Sequence, residues 1–194
     1  MFNELKPAFL MMLVMTVVTG LIYPAVITGI AQVAFKDQAN GSLITRNGQI
    51  VGSRLIGQNF VKPEYFHPRP SAAGMNGYDP TATGGSNLGP TSEKLIASIK
   101  TRVADYRNEN ALSADVLVPA DAVTASASGI DPHISPRNAE LQAARVAKAR
   151  GATLDQVQAV VAEHTEGRTW GVLGEPRVNV LELNLALDAR FPRK

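Results

Sequence analysis

The chain has no cysteine, one tryptophan and three histidines. Without cysteine it can hold neither a disulfide nor a thiolate zinc site. No two of His67, His133 and His164 stand at a metal-ligand spacing, and the first two lie beside prolines in predicted loops. The sequence therefore predicts no metal site and no catalytic residue, and each histidine is expected to be structural or solvated.

Two common catalytic signatures are also missing from the sequence. It contains neither the Gly-x-Ser-x-Gly element of serine hydrolases nor a Gly-x4-Gly-Lys-Ser/Thr phosphate loop. A glycine-rich loop does stand just before a predicted helix, where backbone N–H groups could bind an anion. No lysine follows it at the required place, so a structural turn is the alternative to nucleotide contact. The candidate nucleotide residues are Gly84, Gly85, Ser86 and Asn87.

Residues 7–35 carry no Asp, Glu, Lys or Arg. Their apolar stretch from Phe9 to Ile30 exceeds the roughly 20 residues that a helix needs to cross a bilayer. Pro24 is tolerated in a membrane helix that neighbours support. A cleaved signal peptide is the alternative, with Gly29 and Ala31 as a small-x-small site, but the apolar segment of a signal peptide is typically only about 7–15 residues long.

Small residues recur along this predicted helix. Small residues let helices approach closely in lipid, so we expect the helix to pack against a partner. The alternative is that glycine and threonine are simply common in membrane helices. Lys6 on one side and Lys36, Arg46 and Arg54 on the other leave the orientation undecided by charge. The candidate packing residues are Thr16, Gly20, Pro24, Ala25 and Gly29.

The chain is predicted to divide into a tail (1–6), a transmembrane helix (7–35) and a small soluble α+β domain (36–194). Asn47-Gly48 predicts a β-hairpin, and residues 54–60 a further short strand. Residues 63–90 are rich in proline and glycine and predict a long segment without regular structure, which is either a functional loop or disordered. Capping patterns predict helices that begin after Thr91 or Ser92, after Ser135 and after Thr153. The alternating leucines of 178–189 suit either a strand or a helix, and the helix is favoured.

Arg69 stands between Pro68 and Pro70, which hold its backbone extended. A guanidinium presented in this way suits a carboxylate or a group of carbonyl oxygens. Two interpretations remain open. Arg69 either binds within its own loop or contacts a docking partner.

The predicted loop runs Tyr65-Phe66-His67-Pro68-Arg69-Pro70-Ser71 and continues through Gly77-Tyr78-Asp79-Pro80. This sequence resembles the KdpC family, the C subunit of the bacterial Kdp potassium-transporting P-type ATPase. The resemblance covers essentially the whole chain. It extends through Ala127–Pro136 and Val178–Leu181. The residues that carry it best are Tyr65, Phe66, His67, Pro68, Arg69, Pro70, Ser71, Tyr78 and Asp79.

The resemblance implies a non-catalytic accessory subunit, and the chain lacks the Asp-Lys-Thr-Gly phosphorylation motif of P-type pumps. The implied partners are a channel-like potassium-binding subunit, a P-type pump subunit that uses ATP and Mg²⁺, and a small single-helix subunit. No cofactor is expected on this chain, and no nucleic-acid partner. The family's usual location is the bacterial inner membrane, single-pass, with the large domain periplasmic.

Two other functions are considered. The resemblance also implies a catalytic chaperone that raises the ATP affinity of the pump subunit, with direct contact at residues 84–87 as one route. A membrane-tethered enzyme would instead use His67 or His133 with Asp79 or Asp131, but no nucleophile completes such a set.

Overall fold

The computed structural model describes residues 4–192. The chain divides into two compact units, one ending at Val51 and the other beginning at Gly52. The first unit opens with α1 (Leu5–Val17), a π-helical turn (Val18–Ile22) and α2 (Tyr23–Ala34), which together form a continuous 30-residue helix. By length and composition this helix could cross a membrane. A short helix, α3 (Lys36–Ala39), follows the long helix.

The π-helical turn lies directly before Pro24. Because proline has no N–H, it cannot donate to the carbonyl one turn earlier, and the backbone widens there. The N–H of Tyr23 accordingly donates to the oxygen of Val18, five residues back. The hydroxyl of Thr16 donates to the Met12 carbonyl at 2.8 Å, so this polar group is satisfied within its own helix.

The predicted hairpin is confirmed as β1 (Leu43–Arg46) and β2 (Gln49–Ser53). Asn47 and Gly48 both have positive φ angles, 53° and 78°, as a type I′ turn requires. The further strand expected at 54–60 was wrong. The Ser53 hydroxyl accepts the Leu55 N–H at 3.1 Å and turns the chain at that point.

Between Gly52 and residue 192, the last that the structure describes, the second unit contains five helices, and local capping explains where the longer ones begin. Ser92, Ser135 and Thr153 each accept a backbone N–H of the first turn, and Thr153 with Gln156 forms the predicted capping box. Asn179 caps the last helix, which confirms the helical interpretation of the tail. The helices are α4 (Glu93–Glu109), α5 (Ala120–Val123), α6 (Pro136–Arg150), α7 (Leu154–Glu163) and α8 (Val180–Arg190).

Three short strands form an antiparallel sheet in the order β3 (His133–Ile134), β5 (Arg177–Asn179), β4 (Thr165–Glu166). Ile134 pairs with Val178, and Val178 also pairs with Thr165. Helices and this sheet share one core, which confirms the α+β fold. The largest fully buried apolar side chains of the core are Phe66, Ile134, Leu183, Leu187, Val146, Val157, Val160 and Val178.

Candidate functional site

The loop segment from Tyr65 to Tyr78, called here the signature segment, passes through the second unit without regular secondary structure. Two buried side-chain amides replace the missing backbone partners at its start. Asn184 of α8 accepts the Phe66 N–H at 2.9 Å and donates to the Phe66 carbonyl at 3.0 Å. Gln142 of α6 does the same for His67, at 2.7 and 3.1 Å. The ordered loop is therefore held like a strand between two helices.

Two arginines of α6 bind carbonyl oxygens at the start of the signature segment and just before it. Arg145 donates to the oxygens of Pro63 and Tyr65 at 2.6 and 2.9 Å. Arg150, whose side chain is only 1% exposed, donates to the Glu64 oxygen and pairs with Asp188 at 3.0 Å. Burial lowers the pKa of the Arg145 guanidinium, and the charge of nearby Glu109 opposes this effect.

His67 connects the signature segment to α4. Its Nδ1 lies 2.9 Å from a carboxylate oxygen of Glu109, and its Nε2 lies 3.0 Å from the Lys62 carbonyl oxygen. Both ring nitrogens face acceptors, and only the protonated ring donates to both. The hydrogen bond from His67 lowers the pKa of Glu109, although partial burial opposes the shift. This arrangement orders the loop and leaves no ring nitrogen facing a nucleophile.

Arg69 binds within its own domain. Its Nη1 donates to a carboxylate oxygen of Asp131 at 2.9 Å, and Asp131 also accepts the His133 N–H at 3.0 Å. Burial alone would raise the pKa of Asp131, but the hydrogen bonds from His133 and Arg69 and the charge of Arg69 outweigh it and lower the pKa. Arg69 therefore makes an internal contact, but to a loop other than its own, and a contact with a docking partner stays a prediction.

Tyr78 closes the signature segment. Its hydroxyl donates to the Arg69 carbonyl, and burial raises the pKa of the phenol. Its N–H donates to the Ser71 hydroxyl at 2.8 Å, while that hydroxyl donates to the Gly129 carbonyl at 2.5 Å. Asp79 follows at an exposed turn, where it accepts the Thr81 N–H at 2.8 Å. The later part of the signature segment, from Arg69 to Tyr78, is therefore bonded within itself and to residues 129–131.

A cleft of about 280 Å³ lies beside the signature segment. It is lined by Arg69, Tyr78, Arg102, Asp105 and Glu109 among others. Charges of both signs stand around it, so it favours no strongly anionic ligand. Within residues 4–192, no cluster of three His, Cys, Asp or Glu side chains could hold a metal ion.

The glycine-rich loop packs against residues 126–129. The Gly84 N–H donates to the Ser128 carbonyl at 2.9 Å, so that group is already occupied. A Cβ at Gly85 would lie 3.1 Å from the Ala127 carbonyl oxygen, which shows how closely the two segments approach. Ser86 and Asn87 are exposed. Nucleotide contact by these residues stays a prediction.

A buried polar network under the signature segment was missed by sequence reasoning. The Tyr106 hydroxyl donates to Asn138 at 2.8 Å, and the Asn138 amide donates to Asp121 at 2.9 Å. Asn138 also accepts the Gln142 amide at 2.9 Å, which fixes the orientation of Gln142 toward His67. Burial raises the pKa of the Tyr106 phenol. The only sequence signal for this network was the presence of polar residues on a helix face that was predicted to be apolar.

The small residues of the long helix show no contact that a larger side chain would disturb. A Cβ at Gly20 or at Gly29 would meet nothing within 4 Å in this chain. Gly20 lies in the π-helical turn and Pro24 directly after it. Helix packing through Thr16, Gly20, Pro24, Ala25 and Gly29 stays a prediction.

The comparisons with known proteins agree with the resemblance. The family model "KdpC: K+-transporting ATPase, c chain" matches residues 5–189. The chain belongs to the KdpC family. Relatives named "Potassium-transporting ATPase KdpC subunit" include one from Mycobacterium tuberculosis, 57% identical over 97% of this chain and 99% of its own length. Others come from Beijerinckia indica, 55% identical over 99% and 96%, and from Gemmatimonas aurantiaca, 56% identical over 97% and 94%.

Membership of the KdpC family gives the described geometry a context. The match includes both the apolar helix and the whole signature segment. A KdpC subunit is one chain of a potassium-transporting ATPase, so this chain has a role in such a complex alongside other subunits. The His133 ring lies 3.5 Å from Asp131, which also pairs with Arg69.

Proposed function

We propose that this chain is a non-catalytic accessory subunit of an ATP-driven, high-affinity potassium uptake complex. It assembles and stabilises the channel-like and P-type pump subunits. The observation that carries the proposal is the match of nearly the full chain to potassium-transporting ATPase KdpC subunits. Potassium would bind the channel-like subunit, while ATP and Mg²⁺ would bind the pump subunit. A small single-helix subunit would complete the complex.

The apolar helix would anchor the chain in the inner membrane and pack against the channel-like subunit. Every described residue of α1 and of the π-helical turn is exposed in this chain, so the apolar side chains need lipid or a partner around them. The open surface at Gly20 and Gly29 suits close approach by another helix.

The second unit would lie outside the membrane and cover the outer entrance of the channel-like subunit. The buried bonds to Phe66 and His67 keep the signature segment ordered, as a docking surface needs. With the domain outside, an effect on ATP affinity would be an indirect coupling between sites. Direct ATP contact at Gly84 has less support, because its N–H is already bonded to Ser128.

Labelling of single cysteines tests the orientation. Because the chain has no cysteine of its own, Met75→Cys would introduce a unique thiol at a fully exposed position. A membrane-impermeant maleimide should label it in intact cells. Glu4→Cys is the matched control, since it precedes the helix and should react only after lysis. If Met75→Cys reacts only after lysis, the external position is wrong.

Assembly is tested separately by purification of the complex. Deleting this chain should leave the pump and channel-like subunits unable to copurify, and potassium-stimulated ATP hydrolysis should be lost with them. Restoring the chain should restore both. Full copurification without this chain would contradict the assembly role, whichever side the domain occupies.

A further inference from the structure

An exposed apolar hairpin projects from the edge of the sheet between β4 and β5. Its tip is defined here as residues 169–174. Trp170 is 87% exposed, Val172 70% and Leu173 52%. These three side chains lie within four consecutive residues, and none belongs to the core. Such a cluster at a loop end is unusual for a surface that only meets water.

Part of the backbone of the tip is hydrogen-bonded within the hairpin. Thr169 and Leu173 exchange two hydrogen bonds, each 2.9 Å long. The N–H of Gly171 donates to the Arg168 carbonyl at 3.0 Å, and that of Val172 to the Thr169 carbonyl at 3.3 Å. These bonds reduce the number of polar backbone groups that would lose water at the boundary of an apolar medium.

The base of the hairpin carries charges that cancel. Arg168 pairs with Glu175 at 2.7 Å, and Arg177 pairs with Glu166 at 2.8 Å. Both pairs join the two arms of the hairpin, while residues 169–174 carry no charge. The pairs therefore stiffen the hairpin and leave it electrically neutral. Attraction to a surface would come from its apolar side chains.

The geometry points to the tip as a second membrane contact, in which Trp170, Val172 and Leu173 enter the interface of a lipid bilayer. This inference rests on the membrane anchoring of the proposed function. Tryptophan favours the bilayer interface because its ring is apolar and its N–H remains wet. Residues 35–51 span at most about 60 Å even when fully extended. The bilayer that holds the helix is therefore always within reach of the second unit.

A lipid surface fits the tip better than a protein surface does. A standard protein interface buries about 800 Å² on each partner, whereas this patch has three apolar side chains. An interfacial anchor needs only a small apolar cluster that reaches about 5–10 Å into the headgroup and acyl boundary. The neutral base also removes any need for an acidic or basic partner.

Trp170 is the only tryptophan of the chain, so its fluorescence reports on the tip alone. The full chain would be reconstituted into phosphatidylcholine vesicles, with or without bromine on the acyl chains, and isolated by flotation. We expect a blue-shifted emission and loss of about half or more of it to brominated lipid, given a depth of about 5–10 Å. Half-molar salt should leave the quenching unchanged, because the hairpin is neutral.

The matched control moves the fluorophore. In Trp170→Phe/Met75→Trp, the tryptophan stands at a fully exposed site of the same unit, and brominated lipid should not quench it. Equal quenching of the control would overturn the inference, since the domain would then lie on lipid without preference for the tip. A Trp170 that is quenched by aqueous iodide and not by lipid would also overturn it. So would shielding that appears only when partner subunits are added. None of these results depends on copurification of the complex.

Discussion

The side chain of Asn184 forms two hydrogen bonds with the backbone of Phe66, at 2.9 and 3.0 Å, inside the core. Asn184→Ala would leave a buried N–H and a buried carbonyl without partners and would open a small cavity. We expect the free energy of unfolding to fall by about 2–4 kcal/mol. Denaturant unfolding of the full chain in detergent measures this. Gln158→Ala, on the exposed face of α7, is the control and should change stability by less than about 0.5 kcal/mol. Equal effects of both would contradict the role of Asn184.

The Arg69–Asp131 pair is suited to a double-mutant cycle. Both side chains are about a quarter exposed, 24% and 28%, so solvent weakens the pair. We expect a coupling of about 0.5–1.5 kcal/mol from Arg69→Ala, Asp131→Ala and the double variant. The exposed pair Arg137–Glu140 is the control, with a coupling nearer about 0.3 kcal/mol. If Arg69→Ala leaves stability unchanged but weakens copurification, the docking interpretation applies.

Gly129 combines a positive φ with close neighbours. Its φ is 73°, and a Cβ there would lie 2.7 Å from the Gly84 carbonyl oxygen. Gly129→Ala should therefore cost about 2–4 kcal/mol of unfolding free energy. Gly151→Ala is a matched control, because its φ is 66° but nothing lies within 4 Å of its Cβ. It should cost only about 1 kcal/mol. Equal costs would show that the close approach is unimportant.

Glu109 should make the stability of the chain sensitive to acid. Its pKa is lowered in the folded chain, chiefly by the hydrogen bond from His67, and Arg145 lies 4.0 Å away. A lowered folded pKa gives stability that is complete above the unfolded value of about 4.3 and is lost as pH falls through the folded value. Glu109→Gln and His67→Ala should both flatten the loss of stability below about pH 5. Unfolding curves at several pH values measure this, and slopes that stay unchanged would contradict it.

The small residues of the apolar helix should matter only in the complex. Gly20→Leu and Gly29→Leu place a side chain where this chain has no atom within 4 Å, so its own fold should be unaffected. In the complex they should block close helix approach and reduce copurification of the channel-like subunit. Met11→Leu, on the same helix, is the control. An intact complex with both glycines replaced would rule out the packing role.

Local signals in the sequence predicted most of the regular structure. Asn47-Gly48, the caps at Ser92 and Ser135, and the capping box at Thr153 act within a few residues, so their effect can be read without the rest of the fold. The turn at Ser53 was missed for a related reason. Its hydroxyl competes with strand pairing for a backbone N–H, and a pattern of apolar residues does not reveal that competition.

By itself, the sequence determined the apolar helix, the α+β class and the family, because length, hydropathy and long runs of loop residues are properties of the chain alone. Only the tertiary structure decided how the signature segment is held. Gln142 and Asn184 lie far from Phe66 and His67 in sequence, and their bonds depend on helix packing. The same holds for Arg69 and Asp131. Long-range partners of a loop are chosen by the packing around it, and no local pattern encodes them.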